Sequence, residues 1–240
     1  MVIVLGMHRS GTSCLTGILQ QGGLALGDII VEAPHNKKGN RESPAIMALN
    51  NDVLSYSDGS WDSPPERLRW NTQHELERAR ITSLYSEKQD WGFKDPRSLL
   101  TLPFWLEGLL DTKIDFIATF RHPLSVAKSL RARQPDFAIE RGLTLWHTYN
   151  AKLLEYHKRF AFSVVDFDLK PSEYLHSVQF ALQRLNLSAY STNKPTDFFD
   201  DVLRHQSEPK VDELGEYAKL LEPHVPLYTQ LKGLAATGHG

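Results

Sequence analysis

Residues 1–22 read MVIVLGMHRSGTSCLTGILQQG, and this stretch decides the fold class. Val2, Ile3, Val4 and Leu5 form an apolar run closed by Gly6, the pattern of a strand buried on both faces. Leu15, Ile18 and Leu19 then recur at helical spacing. Between the two lies Gly6-Met7-His8-Arg9-Ser10-Gly11-Thr12-Ser13. A glycine-bounded loop in that position turns several backbone N–H groups toward one point at the positive end of a helix, so it holds a phosphate or similar anion. The loop matches the phosphate-binding pattern G-x-x-x-x-G-K-S/T except at Thr12, which stands in the lysine position. That lysine reaches the β- and γ-phosphates of a triphosphate. Its absence argues against ATP or GTP turnover, while Arg9 offers a fixed cation inside the loop.

Outward from this unit the chain alternates between strand and helix patterns. Strands are expected at 91–93, 113–120 and 162–165, and helices over 45–54, 66–84, 126–133, 143–160 and 174–185, with a mainly helical stretch from Leu99. Loops are expected at 32–43, 56–65 and 132–141. From Ser191 the chain is polar and mixed, with short helical pieces near 198–203 and 213–221 and a frayed end over 237–240. The alternation predicts a three-layer α/β fold, a central parallel sheet covered by helices on both faces. We read residues 1–240 as a single domain, with flexible segments near 32–44, 132–141 and 191–240.

A second anion site follows from position. Arg121 stands directly after the strand KIDFIATF (113–120), and Ser129 lies eight residues further, on the helix that returns from it. In open parallel sheets ligands gather outside the carboxyl ends of strands. A guanidinium fork and a hydroxyl placed there can hold a second phosphate. Two separated anion sites suit a nucleotide with separated phosphates better than one with a triphosphate chain. His8, Glu42, Lys94, Asp95 and His122 are the ionisable side chains expected near strand ends or in the polar segment after the first helix. Trp146, Tyr149 and Asn150 share a helix face and are expected to pack against the sheet.

Composition narrows the function. A chain of 240 residues with 41% hydrophobic and 23% charged residues describes an ordinary globular domain with a sizeable core. The net charge of -2 gives no bulk attraction to nucleic acid or anionic membrane, so any anion site must be built locally. The single cysteine, Cys14, excludes an internal disulfide and fits a reducing compartment. No run approaches a membrane span, and a strand beginning at Val2 is read as preceded by no signal peptide, so a cytoplasmic protein is expected. Asn186-Leu187-Ser188 matches a glycosylation sequon and is read as incidental. No compact metal-ligand cluster is evident, and the oligomeric state is left open.

Several of these segments share a resemblance. GMHRSGTS resembles the 5′-phosphosulfate loop of sulfotransferases that use 3′-phosphoadenosine 5′-phosphosulfate (PAPS). Arg9 takes the place of that loop's basic residue, and His8, Ser10, Gly11, Thr12 and Ser13 complete the cradle. FRHPLSVAKS resembles the segment that binds the 3′-phosphate, with Arg121 and Ser129 in the matching places. GNRES resembles the flap of bacterial and tyrosylprotein sulfotransferases, which makes Glu42 the base for the acceptor proton, although Asn40-Arg41 replaces the aromatic pair of many bacterial relatives. WGFKDPRS resembles a further family segment. There Lys94, a candidate catalytic residue, and Arg97 meet the sulfuryl group or an acidic acceptor, with Asp95 holding one of them. Leu203-Arg204-His205 resembles a late motif that would bring Arg204 near the nucleotide.

The resemblance implies a transferase moving a sulfuryl group from PAPS by in-line displacement, with adenosine 3′,5′-bisphosphate as product and no metal. The acceptor would be a hydroxyl-bearing small molecule, lipid or glycan, without nucleic acid and without an integral membrane segment. Trp61, Tyr56 and the segment around Gln134-Pro135 are expected to line its pocket. Two other readings stay open at this point, a P-loop kinase or hydrolase and a catalytically silent nucleotide-binding scaffold.

Overall fold

The computed structural model describes residues 1–32, 39–85, 87–88, 90–110, 112–185, 209 and 211–237. Its sheet comprises β1 (Val2–Leu5), β2 (Gly92–Lys94), β3 (Asp115–Phe120) and β4 (Ser163–Asp166), in the order β2-β1-β3-β4. All pairings are parallel: Val2 lies opposite Gly92 and Asp115, and Ile117 lies opposite Ser163. The helices among the described residues are α1 (Thr12–Gln21), α2 (Pro44–Tyr56), α3 (Thr72–Ser83), α4 (Ser98–Glu107), α5 (Pro123–Arg133), α6 (Ile139–Phe160), α7 (Pro171–Leu185), α8 (Val211–Glu216), α9 (Ala218–Leu221) and α10 (Val225–Thr237).

The two-residue period of β1 sorts its side chains between two cores. Val2 and Val4 pack with Ile117, with Leu15, Ile18 and Leu19 of α1, and with Tyr174, Val178 and Leu182 of α7. Ile3 and Leu5 pack on the opposite face with α2, α4, α5, α6 and α10. Helices cover both faces of a parallel sheet, so β1, flanked by β2 and β3, is a continuous apolar run with no polar side.

Three sequence expectations need correction. The helix expected over 66–84 begins only at Thr72, because Asn71 caps it: Asn71 Oδ1 accepts the His74 N–H and His74 Nδ1 accepts the Asn71 N–H. The polar segment 132–141 is half helical, with α5 running to Arg133 and α6 starting at Ile139, which leaves 134–138 as the loop. The C-terminal stretch read as mixed and frayed holds α10, whose Leu227, Leu231 and Ala235 enter the core. Its apolar stripe is narrow and interrupted by Thr229, Lys232 and Gly233, so a periodicity reading passes over it. The helical piece near 198–203 and the sequon at 186–188 lie outside the described residues. No described helix is long and apolar enough to cross a membrane.

The exit from β1 is the tightest passage in the fold. Gly6 has φ 151°, and a Cβ on it would stand 2.6 Å from the Thr119 carbonyl oxygen of β3. Backbone cannot yield there as a flexible side chain would. Gly6→Ala is therefore expected to lower the free energy of unfolding by about 2–4 kcal/mol, the range for strain at a special backbone position combined with overpacking. Urea denaturation checks this, and an unchanged midpoint would contradict the close approach.

Candidate functional site

The glycine loop is clamped from two sides. Thr119 Oγ1 donates to the Ser10 carbonyl oxygen at 3.1 Å. On the other side the Phe167 ring lies against Gly11, where a Cβ would come within 2.1 Å of it. Gly11 caps α1 in the left-handed region (φ 83°) and supplies no side-chain cap, so the first-turn N–H groups are left to an outside acceptor. Arg9 is also left-handed, at φ 67°, a conformation costly for a residue with a Cβ and held here by the clamped loop. Ser10 Oγ is buried with no hydrogen-bond partner among the described residues.

Arg9 and Ser129 meet. Arg9 Nε donates to Ser129 Oγ at 2.8 Å, across the gap between the glycine loop and α5. Burial lowers the Arg9 pKa from its ordinary value, and the nearby charges of Arg133 and Arg121 lower it further. Arg121, placed directly after β3, is held by an acid that sequence reading overlooked. Its Nε donates to Asp168 Oδ1 at 2.9 Å, both side chains being almost fully buried, while Asp168 Oδ2 accepts the His122 N–H at 2.7 Å. Trp146 Nε1 donates to the Arg121 carbonyl oxygen, so α6 fixes the backbone from below. The sequence reading sets Ser129 and Arg121 at one anion site; in the structure Ser129 accepts from Arg9, and Arg121 is oriented by Asp168. Only a run of Asp166-Phe167-Asp168 beyond β4 signalled this acid, and such turns are common.

A cavity of about 440 Å³ opens beside the loop, bounded by His8, Arg9, Ser13, Glu42, Lys94 and Arg97. Lys94 ends β2 fully buried, and its Nζ donates to Glu42 Oε1 at 2.8 Å and to Ser13 Oγ at 3.4 Å. Ser13 Oγ in turn donates to the Asn40 carbonyl oxygen. The flap residues and the loop are thus tied through one ammonium group. Trp61, Gln134 and Phe137 also line the cavity, Trp61 being fixed by Tyr149, whose hydroxyl donates to its carbonyl oxygen at 2.8 Å. Tyr56, expected in this pocket, is half exposed and packs on His74 instead. Arg204 lies outside the described residues. Among the described residues no three His, Cys, Asp or Glu side chains converge in metal-ligating positions.

His8 packs on Trp61 with ring centroids 4.6 Å apart, and its buried Nε2 has no hydrogen-bond partner among the described residues. Burial pushes its pKa well below 6.5, and Arg97, Lys94, Arg133 and Arg9 all push in the same direction. The imidazole is neutral at neutral pH. Because its folded pKa lies below its unfolded one, the unfolded chain binds more protons between those values. The stability held by the neutral ring is complete above pH 6.5 and is lost as pH falls, by up to about 1.4 kcal/mol per pH unit. Chemical denaturation at neutral and mildly acid pH should show a steeper acid loss for wild type than for His8→Gln. His122, His157 and His224, also lowered by burial, contribute equally to both. Parallel slopes would contradict a buried neutral His8.

No family model matches the chain, and no curated protein matches it at a significant level. Among solved structures it is similar to the sulfotransferase domain from the Synechococcus PCC 7002 olefin synthase, with 17% identity over 94% of each chain and a TM-score of 0.46. It is also similar to the sulfotransferase domain from the curacin biosynthetic pathway, with 16% identity over 88% of this chain and 80% of that one and a TM-score of 0.44. Neither likeness assigns a role to any residue here.

Proposed function

We propose that the chain, acting as one domain, is a sulfotransferase that uses PAPS and a hydroxyl acceptor. One observation carries the reading. Two anchored guanidinium groups stand at the carboxyl ends of adjacent strands β1 and β3, Arg9 within a glycine loop that lacks the lysine of triphosphate enzymes and Arg121 directly after β3. The residues fit such a donor: an uncapped helix start and the buried Ser10 hydroxyl form a cradle for one anion, and Arg121 gives a second.

In this reading His8, Arg9, Ser10, Gly11, Thr12 and Ser13 hold the 5′ end of the donor, and Arg121 with Ser129 holds the 3′-phosphate. When bound, PAPS supplies the sulfuryl group: a bond forms from the acceptor oxygen to sulfur, the bond from sulfur to the 5′-phosphate oxygen breaks with its electron pair kept by the phosphate, and the acceptor proton is left for the protein. Arg9 faces the charge that grows on the 5′-phosphate and stabilises it from a fixed position. Glu42 Oε1 takes the acceptor proton, and Lys94 holds that carboxylate against the loop.

Adenosine 3′,5′-bisphosphate should bind more tightly than AMP by on the order of 10- to 10²-fold, the range for a charged hydrogen-bonded contact. Arg121→Gln should reduce that margin to near unity. Calorimetry decides it, and equal affinities in wild type would remove the second anion site. Glu42→Gln should keep the bisphosphate affinity and slow the chemical step by roughly 10²- to 10⁴-fold. The loss should shrink for more acidic phenols. Single-turnover rates across phenols of graded acidity test this, and unchanged rates would take the base role away from Glu42.

A further inference from the structure

One cation in the cavity is assembled with more care than donor binding requires. Arg97 caps α4, and its own N–H donates to Asp95 Oδ1 at 3.0 Å. Its Nη1 donates to the same oxygen at 2.9 Å and its Nε to Asn51 Oδ1 at 2.6 Å. Asp95 is buried and is held from behind, since its Oδ2 accepts Asn50 Nδ2 at 3.0 Å. Asn50 is itself saturated: its Oδ1 accepts Thr101 Oγ1 at 2.7 Å and Trp105 Nε1 at 2.8 Å. A chain of buried partners therefore runs from Trp105 through Asn50 and Asp95 to a guanidinium that is 12% exposed and lines the cavity. The Nη2 of Arg97 has no hydrogen-bond partner among the described residues.

The charge around it is one-sided. Arg9, Lys94, Arg97 and Arg133 all reach the cavity, whose lining holds one carboxylate, Glu42, already bound to Lys94. Arg133, exposed at the end of α5, has no ion-pair partner among the described residues. Beside these cations the wall is apolar: Trp61 is backed by the buried Phe137, the rings nearly parallel with centroids 6.2 Å apart and planes at 13°, and Met47 and Leu130 also line the cavity. With Arg9 given to the donor, Lys94 bound to Glu42 and one edge of Arg97 bound to Asp95, a neutral acceptor would leave Arg133 and the free edge of Arg97 without a use.

We propose that the cavity binds a hydroxyl compound carrying a carboxylate, with its acid on Arg97 and Arg133 and its apolar body against Trp61, which Phe137 backs. A planar carboxylate matches the free edge of a guanidinium whose other edge is already committed. The assignment rests on the sulfuryl-transfer reading for the identity of the reacting hydroxyl, and on the cavity alone for the acid.

The test compares para-hydroxyphenylacetate with its methyl ester, which keeps the hydroxyl and ring but removes the charge. Calorimetry on the intact chain, with adenosine 3′,5′-bisphosphate present and absent, reads binding without turnover. The acid should bind on the order of 10-fold more tightly than the ester, the effect expected of one charged contact. That preference should fall to near unity in Arg97→Gln and shrink in Arg133→Gln, a surface change that leaves folding intact should the first variant prove unstable. Equal binding of acid and ester, no binding of either, or a preference untouched in both variants overturns the subsite. An acid preference that follows Arg97 while the bisphosphate fails to bind upholds the subsite and sinks the sulfuryl reading. Bisphosphate binding without any acid preference sinks the subsite alone.

Discussion

The passage of the chain from β1 into α1, beneath the carbonyl of Thr119, governs where every other group of the candidate site sits. A strand buried on both faces and flanked by neighbours can leave the sheet only at its end, and here that end presses against the backbone of β3. With no side chain at Gly6 the loop stays low enough for Thr119 to hold Ser10, and with none at Gly11 it slides under the Phe167 ring. The loop is thus pinned by β3 and by the turn after β4 together. Arg9, left-handed inside it, arrives beside α5 and finds Ser129. Arg121 and Asp168 come from the two elements doing the pinning, so the same contacts that shape the loop bring the second cation to it.

The parts of this arrangement that depend on local pattern were legible in the sequence. β1, its loop and α1 follow from an apolar run, two glycines and a helical period, and β3 with Arg121 at its end follows from KIDFIATF. What escaped depends on partners far along the chain. Asp168 looks like one more acid in a turn until β4 is paired with β3, which sets it against Arg121 some 47 positions away. Asn50 sits mid-helix, where a polar residue is usually solvated, yet it is saturated by Trp105, Thr101 and Asp95 from another element. The start of α3 at Thr72 hinged on a histidine completing the cap of Asn71, an unusual residue in that role. α10 was missed because three small or apolar residues on one narrow stripe carry little periodic signal, although they are enough to fill the groove over β4.

Three buried ion pairs line one edge of the sheet: Lys94 with Glu42, Arg97 with Asp95, and Arg121 with Asp168. Pairs of this kind are poor devices for stability, since taking two charges out of water costs about as much as their attraction returns, and well-packed apolar residues serve folding equally well. They are effective at something else. A cation whose position is fixed by a buried acid meets an incoming anion without first losing side-chain freedom and without reorganising at the moment of reaction. Asp95 leaves one edge of its cation open, the Nη2 of Arg97. Arg9 stands apart from the three, because its hydrogen bond goes to a neutral hydroxyl and its neighbours Arg121 and Arg133 are cations. A charge left uncompensated in a partly buried loop destabilises the empty protein, and the anion that neutralises it regains that energy as affinity. Among the buried cations, the division between three that are paired and orient and one, Arg9, that is uncompensated and attracts is the physical basis for our proposal that the reacting anion sits at Arg9 with its recognition groups around it.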